Sequence, residues 1–302
     1  MKKSVLLLLV AFLYFAAQAE ARYIETSDGV DLYVEVKGKG TPCLYIHGGP
    51  GSGSHWLEKF SGEMLEQHFQ MIYLDQRGVS RSTSPKDGNY SMDRMTKDFE
   101  EVRTALGIQQ WVTLGHSFGG ILQMGYAQRY PQAIKGMIML NTSLSMKESL
   151  TAAIPKACEI LNITDTAPYT NEAIPLLDRI SKLYGELRGK DLFWKMGYAS
   201  HKSIEVMNAS FDEIPNWNKD LENVAMTIKD YRGDFRGAAP AMKMPVLFFY
   251  GKTDWMAGPA IYKGVHFPEM MLWGSEVGHM PFLENKADLE KAIVSYQKKY
   301  KL

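Results

Sequence analysis

The sequence predicts an α/β fold, with a mostly parallel sheet flanked by helices and a helical cap inserted between two of its strands. Short apolar segments alternate with segments of helical periodicity along residues 20–141 and again along 241–302. This alternation is typical of a parallel sheet that is covered on both faces. Between residues 142 and 240 the strand-like segments disappear, and short helical stretches separated by prolines replace them. We therefore assign 20–141 and 241–302 to the core and 142–240 to the cap.

The core elements follow from local patterns taken in chain order. Two β-rich segments flank the turn 27–29 (SDG), which predicts a hairpin. A helix is predicted over 92–106, because apolar residues recur there every three or four positions, the spacing of one helix face. The predicted strands are 22–26, 30–36, 43–46, 70–74, 111–114, 136–140, 245–250 and 270–273, and the other predicted helices are 56–67, 118–130 and 287–300.

Residues 1–19 are predicted to be a signal peptide outside the folded domain. A positively charged start precedes an unbroken apolar run over 5–17, which is shorter than the roughly 20 residues of a membrane span. Residues 17–19 (AQA) supply the small-x-small pattern of a cleavage site. We place cleavage after Ala19, with Ala21 as the second choice and an uncleaved anchor as the alternative. The protein is then exported, periplasmic or secreted, with no stable membrane insertion after cleavage.

Charge and cysteine content exclude other classes of protein. The chain has 34 Lys and Arg against 34 Asp and Glu, so its net charge gives no electrostatic attraction for nucleic acid, which we exclude as a partner. Two cysteines are too few for a disulfide-built scaffold. Cys43 lies in a predicted strand and Cys158 far along the chain, so we favour two buried thiols and keep a bridge between them as the alternative.

The segment 115–120 (GHSFGG) carries the first catalytic motif. It follows the predicted strand 111–114 and opens the predicted helix 118–130. This strand–turn–helix context is the one that a G-x-S-x-G nucleophile elbow requires, and it holds the serine hydroxyl at the top of the sheet. We therefore predict Ser117 as a nucleophile, with a plain glycine-rich turn as the alternative.

A serine hydroxyl needs a base, and that base needs an acid to orient it. After an elbow of this kind the acid precedes the histidine in the chain. Asp254 follows the strand 245–250, and His279 follows the last predicted strand. We predict Asp254 as the acid and His279 as the base. Asp75 also ends a strand but precedes the serine, and we expect it to be structural and paired with Arg77.

The loop 47–51 (HGGPG) is the second motif. Acyl transfer needs backbone N–H donors for the developing oxyanion. In folds with this elbow, one donor is the residue after the nucleophile and the other lies in the loop after an early strand. The candidates are Phe118 and Gly49, with Gly48 as the second choice for the loop donor. Pro50 is excluded because it has no N–H.

These motifs together resemble the proline iminopeptidase (prolyl aminopeptidase) family of α/β-hydrolases, which is serine peptidase S33-like. The resemblance rests on HGGPG at 47–51, on DQRGVSRS at 75–82, on the serine elbow, and on the late aspartate and histidine. Ser80 stands where the family has glycine. The resemblance covers nearly all of the mature chain. It implies a cap domain, a mechanism without cofactor or metal, and release of an N-terminal residue, often proline, from short peptides.

The substrate pocket matches that family less closely. Its members bind the free amine of the substrate with acidic residues, one in the cap and in some members another directly after the catalytic aspartate. Trp255 occupies that second position, and Glu222 is the cap candidate, with a solvated surface acid as its other interpretation. The candidate apolar walls are Trp56, Phe118, Trp194, Trp217 and Trp255.

Three functions follow, and the first is a secreted aminopeptidase. The second is an esterase or amidase acting on a small uncharged acyl substrate, which Trp255 and Ser80 favour. The third is a non-catalytic binding protein on the same fold. The expected partner is a short peptide or small acyl substrate.

Overall fold

The computed structural model describes residues 20–302, so the predicted signal peptide over 1–19 lies outside the described residues. The strands are β1 (Glu20–Glu25), β2 (Asp31–Gly38), β3 (Pro42–Ile46), β4 (Gln70–Leu74), β5 (Trp111–His116), β6 (Ile134–Leu140), β7 (Val246–Gly251) and β8 (Met270–Ser275). The helices are α1 (His55–Leu65), α2 (Met92–Ala105), α3 (Gly119–Arg129), α4 (Met146–Leu161), α5 (Ala167–Thr170), α6 (Leu176–Gly189), α7 (His201–Ala209), α8 (Asp220–Val224), α9 (Pro281–Glu284) and α10 (Lys286–Tyr300).

The α/β fold class predicted from the sequence is confirmed. Within residues 20–302 the strands form one eight-stranded sheet in the order β1-β2-β4-β3-β5-β6-β7-β8. The pairs β1–β2 and β2–β4 are antiparallel, and the other pairs are parallel. The predicted core strands and helices are all present, with ends that differ by at most two residues. The carboxyl ends of β5, β6, β7 and β8 therefore meet at one edge of the sheet.

The sheet is buried on both faces because successive side chains of a strand point to opposite sides. In β3, Leu44 and Ile46 pack into the cluster that includes α2 and α3. Cys43 and Tyr45 pack on the other face, in the cluster that includes α1 and α10. All four side chains are almost fully buried. Parallel strands covered on both faces need this continuous apolar composition.

Helices α4 to α8 lie in the segment between β6 and β7, where we predicted the cap. Helices α4 and α6 pack against each other around a separate apolar cluster that includes Ile154, Leu183 and Leu187. Cys158 lies in this cluster, and Cys43 lies under the main sheet. Both cysteines are buried free thiols, so that prediction is confirmed. Nowhere in residues 20–302 is there a helix both long enough and apolar enough to cross a membrane.

The predicted ion pair between Asp75 and Arg77 is wrong. The chain leaves β4 after Leu74 and turns, so the alternation of an extended strand no longer aligns the two side chains. Arg77 binds Asp98 of α2, with 2.6 Å between Nε and Oδ2. Asp75 binds Arg81 instead, with 2.6 Å between the Oδ2 of Asp75 and the Nε of Arg81. Both pairs are structural, as we expected of Asp75.

Candidate active site

Ser117 lies on the turn between β5 and α3. Its φ is +53°, in the left-handed region that non-glycine residues rarely adopt. The turn is tight because α3 begins directly beneath β3. A Cβ at position 119 would overlap the carbonyl oxygen of Ile46, so only glycine fits there. The strained turn leaves the Ser117 side chain half-buried at the edge of the sheet.

The structure brings together the three side chains that the sequence selects. The Nε2 of His279 lies 2.9 Å from the Oγ of Ser117. The Nδ1 of the same ring lies 2.9 Å from the Oδ2 of Asp254. His279 and Asp254 are buried on the loops that follow β8 and β7. A hydroxyl that faces a histidine, itself oriented by a carboxylate, has the geometry of nucleophilic catalysis.

The surroundings of Asp254 keep it charged. Its Oδ1 accepts hydrogen bonds from the N–H groups of Met256 and Ala257, at 2.9 and 3.0 Å. Burial alone would raise its pKa, but His279 and these hydrogen bonds hold the pKa of Asp254 below its usual value. The carboxylate is therefore an anion at neutral pH and can stabilise an imidazolium next to it.

Asn141 is a positioning residue that no local pattern in the sequence predicts. It follows β6, and its Nδ2 donates to the Oδ2 of Asp254 at 2.9 Å and to the carbonyl of Gly278 at 2.7 Å. One amide thereby links the loop of the acid to the loop of the base. The sequence shows only that Asn141 directly follows a parallel strand, and that this strand lies beside the one that leads to Asp254.

The cap contacts both loops that carry the acid and the base. The N–H of Trp255, next to Asp254, donates to the carbonyl of Met196 at 2.8 Å. The N–H of His279 donates to the carbonyl of Gly197 at 2.6 Å. The position of the cap backbone is therefore coupled to the position of the histidine.

Glu284 in α9 adds a second link of the same kind. Its carboxylate accepts from the N–H of Gly278 at 2.6 Å and from the N–H of Ala199, in the cap, at 2.9 Å. Burial raises the pKa of Glu284, and these two hydrogen bonds partly oppose the rise. The sequence predicts neither contact, because the partners lie far apart in the chain.

Two histidines next to the site are buried and neutral. Burial, with His279 nearby, lowers the pKa of His116 to about 3, and its Nε2 lies 2.9 Å from the His279 carbonyl oxygen. Burial also lowers the pKa of His47 to about 4. The Nε2 of His47 accepts the N–H of Gln76 at 3.1 Å, so a proton on that nitrogen would break the bond. Both rings pack the site in their neutral form.

Acidification is expected to destabilise the fold partly through His116. Its pKa is about 3 in the folded protein. In an unfolded chain the value is about 6.5, so the unfolded state binds more protons between these pH values. The stability from neutral His116 is therefore complete above about pH 6.5 and is lost as the pH falls. Between pH 7 and about pH 4.5, the unfolding free energy in urea should fall by about 2 kcal/mol less in His116→Gln than in the wild type. An equal fall in the unfolding free energy of the two proteins would contradict the assignment of a neutral, buried His116.

The loop 47–51 packs directly on the elbow. A Cβ at position 48 would lie 2.7 Å from the Cβ of Ser117, so the two motifs touch through a glycine. Gly49 has φ of +108°, and Gly49 and Phe118 border the same cavity as Ser117. The use of their N–H groups as oxyanion donors stays a prediction.

A cavity of about 460 Å³ opens above Ser117 between the core and the cap. Trp56 and Glu222, both predicted for the pocket, line it. Trp255, Trp194 and Trp217 are not among the residues that line it, and their place as walls stays a prediction. The indole of Trp255 packs on the apolar cluster of the cap. The cap contributes mainly apolar residues to the lining, among them Leu177, Ile180, Phe193 and Met226.

Few charges face this cavity. Of the described residues that line it, Glu222 is the one carboxylate and Arg188 the one Lys or Arg. Glu222 is exposed and adjoins the loop 47–51, since a Cβ at Gly51 would lie 2.9 Å from the Glu222 Cβ. Within residues 20–302, no group of three or more His, Cys, Asp or Glu side chains is placed to hold a metal ion.

A serine that faces a histidine–aspartate pair at a strand–turn–helix elbow is the arrangement of serine hydrolases. The sequence profile of the α/β-hydrolase fold matches residues 41–286, so the chain belongs to this hydrolase family.

Its relatives include proline iminopeptidases. The one from Neisseria meningitidis is 34% identical over 121 residues, a match that spans 39% of this chain and only 38% of that protein. The one from Lactobacillus delbrueckii subsp. lactis is 25% identical over 294 residues, spanning 86% of this chain and 92% of that protein. The crystal structure of a proline iminopeptidase-related protein from Thermus thermophilus aligns with a TM-score of 0.75 at 20% identity, over 93% of this chain and 98% of that one. That alignment supports the fold.

Proposed function

We propose that this protein is a serine hydrolase that releases N-terminal proline, or another small residue, from peptides through an acyl-enzyme. The observation that carries the proposal is the hydrogen-bonded series from Ser117 through His279 to Asp254 at the floor of the cavity. The motif resemblance and the similarity to proteins named proline iminopeptidase support the choice of substrate.

The proposed reaction runs in two halves. The Oγ of Ser117 attacks the carbonyl carbon of the N-terminal residue, and its proton passes to the Nε2 of His279. Asp254 stabilises the imidazolium that forms. The tetrahedral oxyanion faces the N–H groups of Gly49 and Phe118, and each such donor typically contributes about 10²- to 10³-fold in rate.

The intermediate then collapses as His279 gives its proton to the leaving nitrogen, which breaks the peptide bond. Water enters, His279 takes one of its protons, and the hydroxide attacks the acyl-enzyme. Breakdown of the second intermediate returns the proton to the Oγ of Ser117. The free amino acid leaves, and the enzyme is restored.

Glu222 is the proposed partner of the substrate amine. An N-terminal amine is a cation at neutral pH, and burying it without a carboxylate is costly. Glu222 borders the cavity beside the loop 47–51, which carries the proposed oxyanion donor Gly49. The apolar lining of the cap suits a pyrrolidine ring or a small aliphatic side chain.

A second candidate function is an esterase or amidase for a small uncharged acyl group. The mainly apolar cavity favours it, and so does Trp255, which stands where some aminopeptidases carry a second acid. The same triad would perform this reaction, so only the substrate separates the two functions.

A panel of four substrates tests the proposal. The protein is assayed on a proline arylamide, its N-acetylated counterpart, an alanine arylamide and a short-chain phenyl ester. If the amine is recognised by a carboxylate, acetylation should lower kcat/KM by about 100-fold or more. Faster turnover of the ester, with no response to the free amine, would overturn the aminopeptidase and favour the esterase.

Glu222→Gln tests the amine partner separately. We expect KM for the proline arylamide to rise about 10- to 100-fold, because the negative charge opposite the substrate ammonium is replaced by a neutral amide. KM for the phenyl ester should stay as in the wild type, since the ester has no amine. Asp212→Asn is the matched control, because Asp212 is an exposed acid of the cap that does not line the cavity. An equal rise in KM for both substrates would contradict the role of Glu222.

A further inference from the structure

Helix α6 presents one of its faces to the cavity. Its residues Leu177, Ser181, Tyr184 and Arg188 all line the cavity, and they recur every three or four positions. This spacing places them in one stripe along the helix. At about 1.5 Å per residue the stripe is roughly 16 Å long. It ends in a cation, in the last turn of the helix.

Arg188 has no carboxylate partner among residues 20–302, although many other arginines do; Arg77, Arg81 and Arg94 each bind an aspartate. The guanidinium carbon of Arg188 lies 4.4 Å from the ring centroid of Phe193. Aromatic faces hold a guanidinium in place without neutralising its charge.

A second aromatic ring next to Arg188 is that of Tyr184, whose ring centroid is 5.8 Å from the guanidinium carbon. Phe193 and Tyr184 both line the cavity, and Arg188 itself is exposed. The cation therefore stands at the cavity wall with its five N–H donors free for a planar, bidentate anion such as a carboxylate.

The segment of the cap that follows Arg188 reaches the loop that carries the base. Phe193, the ring under its guanidinium, opens the short 3-10 turn Phe193–Met196. The next residue, Gly197, accepts the N–H of His279 at 2.6 Å. A short stretch of the cap therefore connects the ring under the guanidinium to the loop of His279.

The electrostatics of Tyr184 agree with this placement. Burial, together with the nearby Asp254, raises its pKa to about 12, and Arg188 opposes the rise. One phenol therefore lies within electrostatic range of both the acid of the triad and the cation. Glu222 lies elsewhere, against Gly51 of the loop 47–51.

The chemistry of acyl transfer says which part of a substrate meets this wall. The base that takes the serine proton gives it to the leaving nitrogen, so the leaving group must lie on the His279 side of Ser117. In a dipeptide or tripeptide, the leaving group carries the free C-terminal carboxylate.

We propose that Arg188 binds the C-terminal carboxylate of the leaving group, which makes the enzyme selective for peptides of two or three residues. This inference rests on the proposed aminopeptidase function and adds a second charged anchor to it. Glu222 would hold the amine at one end of a zwitterionic peptide, and Arg188 would hold the carboxylate at the other. Longer chains and neutral leaving groups would lose the second anchor.

The test compares each short peptide with its C-terminal amide. The substrates are Pro-Ala, Pro-Ala-Ala and the amide of each, with a proline arylamide as a substrate that lacks the carboxylate. In the wild type, kcat/KM should favour the acid over the amide by about 10- to 100-fold for at least one of the two lengths, mainly through KM. A ratio near one at both lengths would overturn the proposal, and this comparison needs no variant.

Variants assign the preference to the residue. Arg188→Gln should bring the ratio of acid to amide to about one, and Arg188→Lys should retain part of it, because lysine keeps the charge and loses the planar fork. Lys190→Gln is the matched control, since it removes an equal charge just beyond the same helix at a residue that does not line the cavity. It should leave the ratio as in the wild type. A ratio that stays high in Arg188→Gln would overturn the role of Arg188.

The panel separates the failure of this inference from the failure of the function. If no substrate with a free amine is hydrolysed, the aminopeptidase proposal falls and this inference falls with it. If the arylamide is hydrolysed while acids and amides are treated alike, the aminopeptidase stands and only the carboxylate anchor is lost.

Discussion

Replacing Ser117 with alanine is expected to lower kcat by about 10⁴- to 10⁶-fold on any substrate that the wild type hydrolyses. The reason is geometric. The Oγ of Ser117 is the atom that His279 contacts at 2.9 Å, and without it there is no nucleophile to form the acyl-enzyme. A fluorophosphonate probe should label the wild type stoichiometrically and leave Ser117→Ala unlabelled. The measurement is kcat together with the mass of the labelled protein.

Ser181→Ala is the control for this experiment. Ser181 also lines the cavity, but it lies on α6, away from the elbow. We expect less than about a threefold change in kcat for it, because its hydroxyl takes no part in the proposed reaction. Labelling of the Ser117→Ala protein, or more than about 1% of wild-type kcat in it, would assign the nucleophile to another residue.

Asp254→Asn is expected to lower kcat by about 10⁴-fold with little change in the fold. The amide has the shape of the carboxylate but not its charge, so it cannot stabilise the imidazolium of His279. It also places an N–H₂ group or a neutral oxygen opposite the Nδ1 of His279, which permits the wrong tautomer. In the wild type, Asn141 already donates to the Oδ2 of Asp254, so the pocket around this carboxylate is arranged for an anion.

The companion variant is Glu276→Gln. Glu276 is an exposed carboxylate in the loop that leads to His279, and it binds Lys252. Since exposed ion pairs contribute about 1 kcal/mol or less, we expect kcat to change by less than about twofold. If Asp254→Asn retained more than about a tenth of wild-type kcat, the acid of the triad would have to be sought elsewhere.

Local sequence is sufficient for the core of this fold and for the residues that meet at Ser117. The helix α2 could be predicted from the period of its apolar residues, and the elbow from glycines between a strand and a helix. Asp254 and His279 could be predicted because each follows a strand of a parallel sheet, and the carboxyl ends of such strands meet at one edge. These inferences need only the chain order and the backbone geometry.

The sequence does not predict contacts that depend on how the chain turns outside its helices and strands. Asp75 and Arg77 are two residues apart, and yet each binds a partner from another part of the fold, Arg81 and Asp98. Trp255 follows the acid directly, and its indole packs on the apolar cluster of the cap. Sequence proximity does not determine the direction of a side chain outside regular elements.

The sequence by itself determined the class of fold, the nucleophile candidate and the order of its partners, because periodicity and steric requirements of the backbone are local properties. Only the tertiary structure decided what surrounds them. The hydrogen bonds of Asn141 and Glu284 join loops that are far apart in the chain. The position of Arg188 on the wall of the cavity likewise depends on how the cap packs over the sheet. These features arise from long-range packing, which leaves no fixed spacing in the sequence.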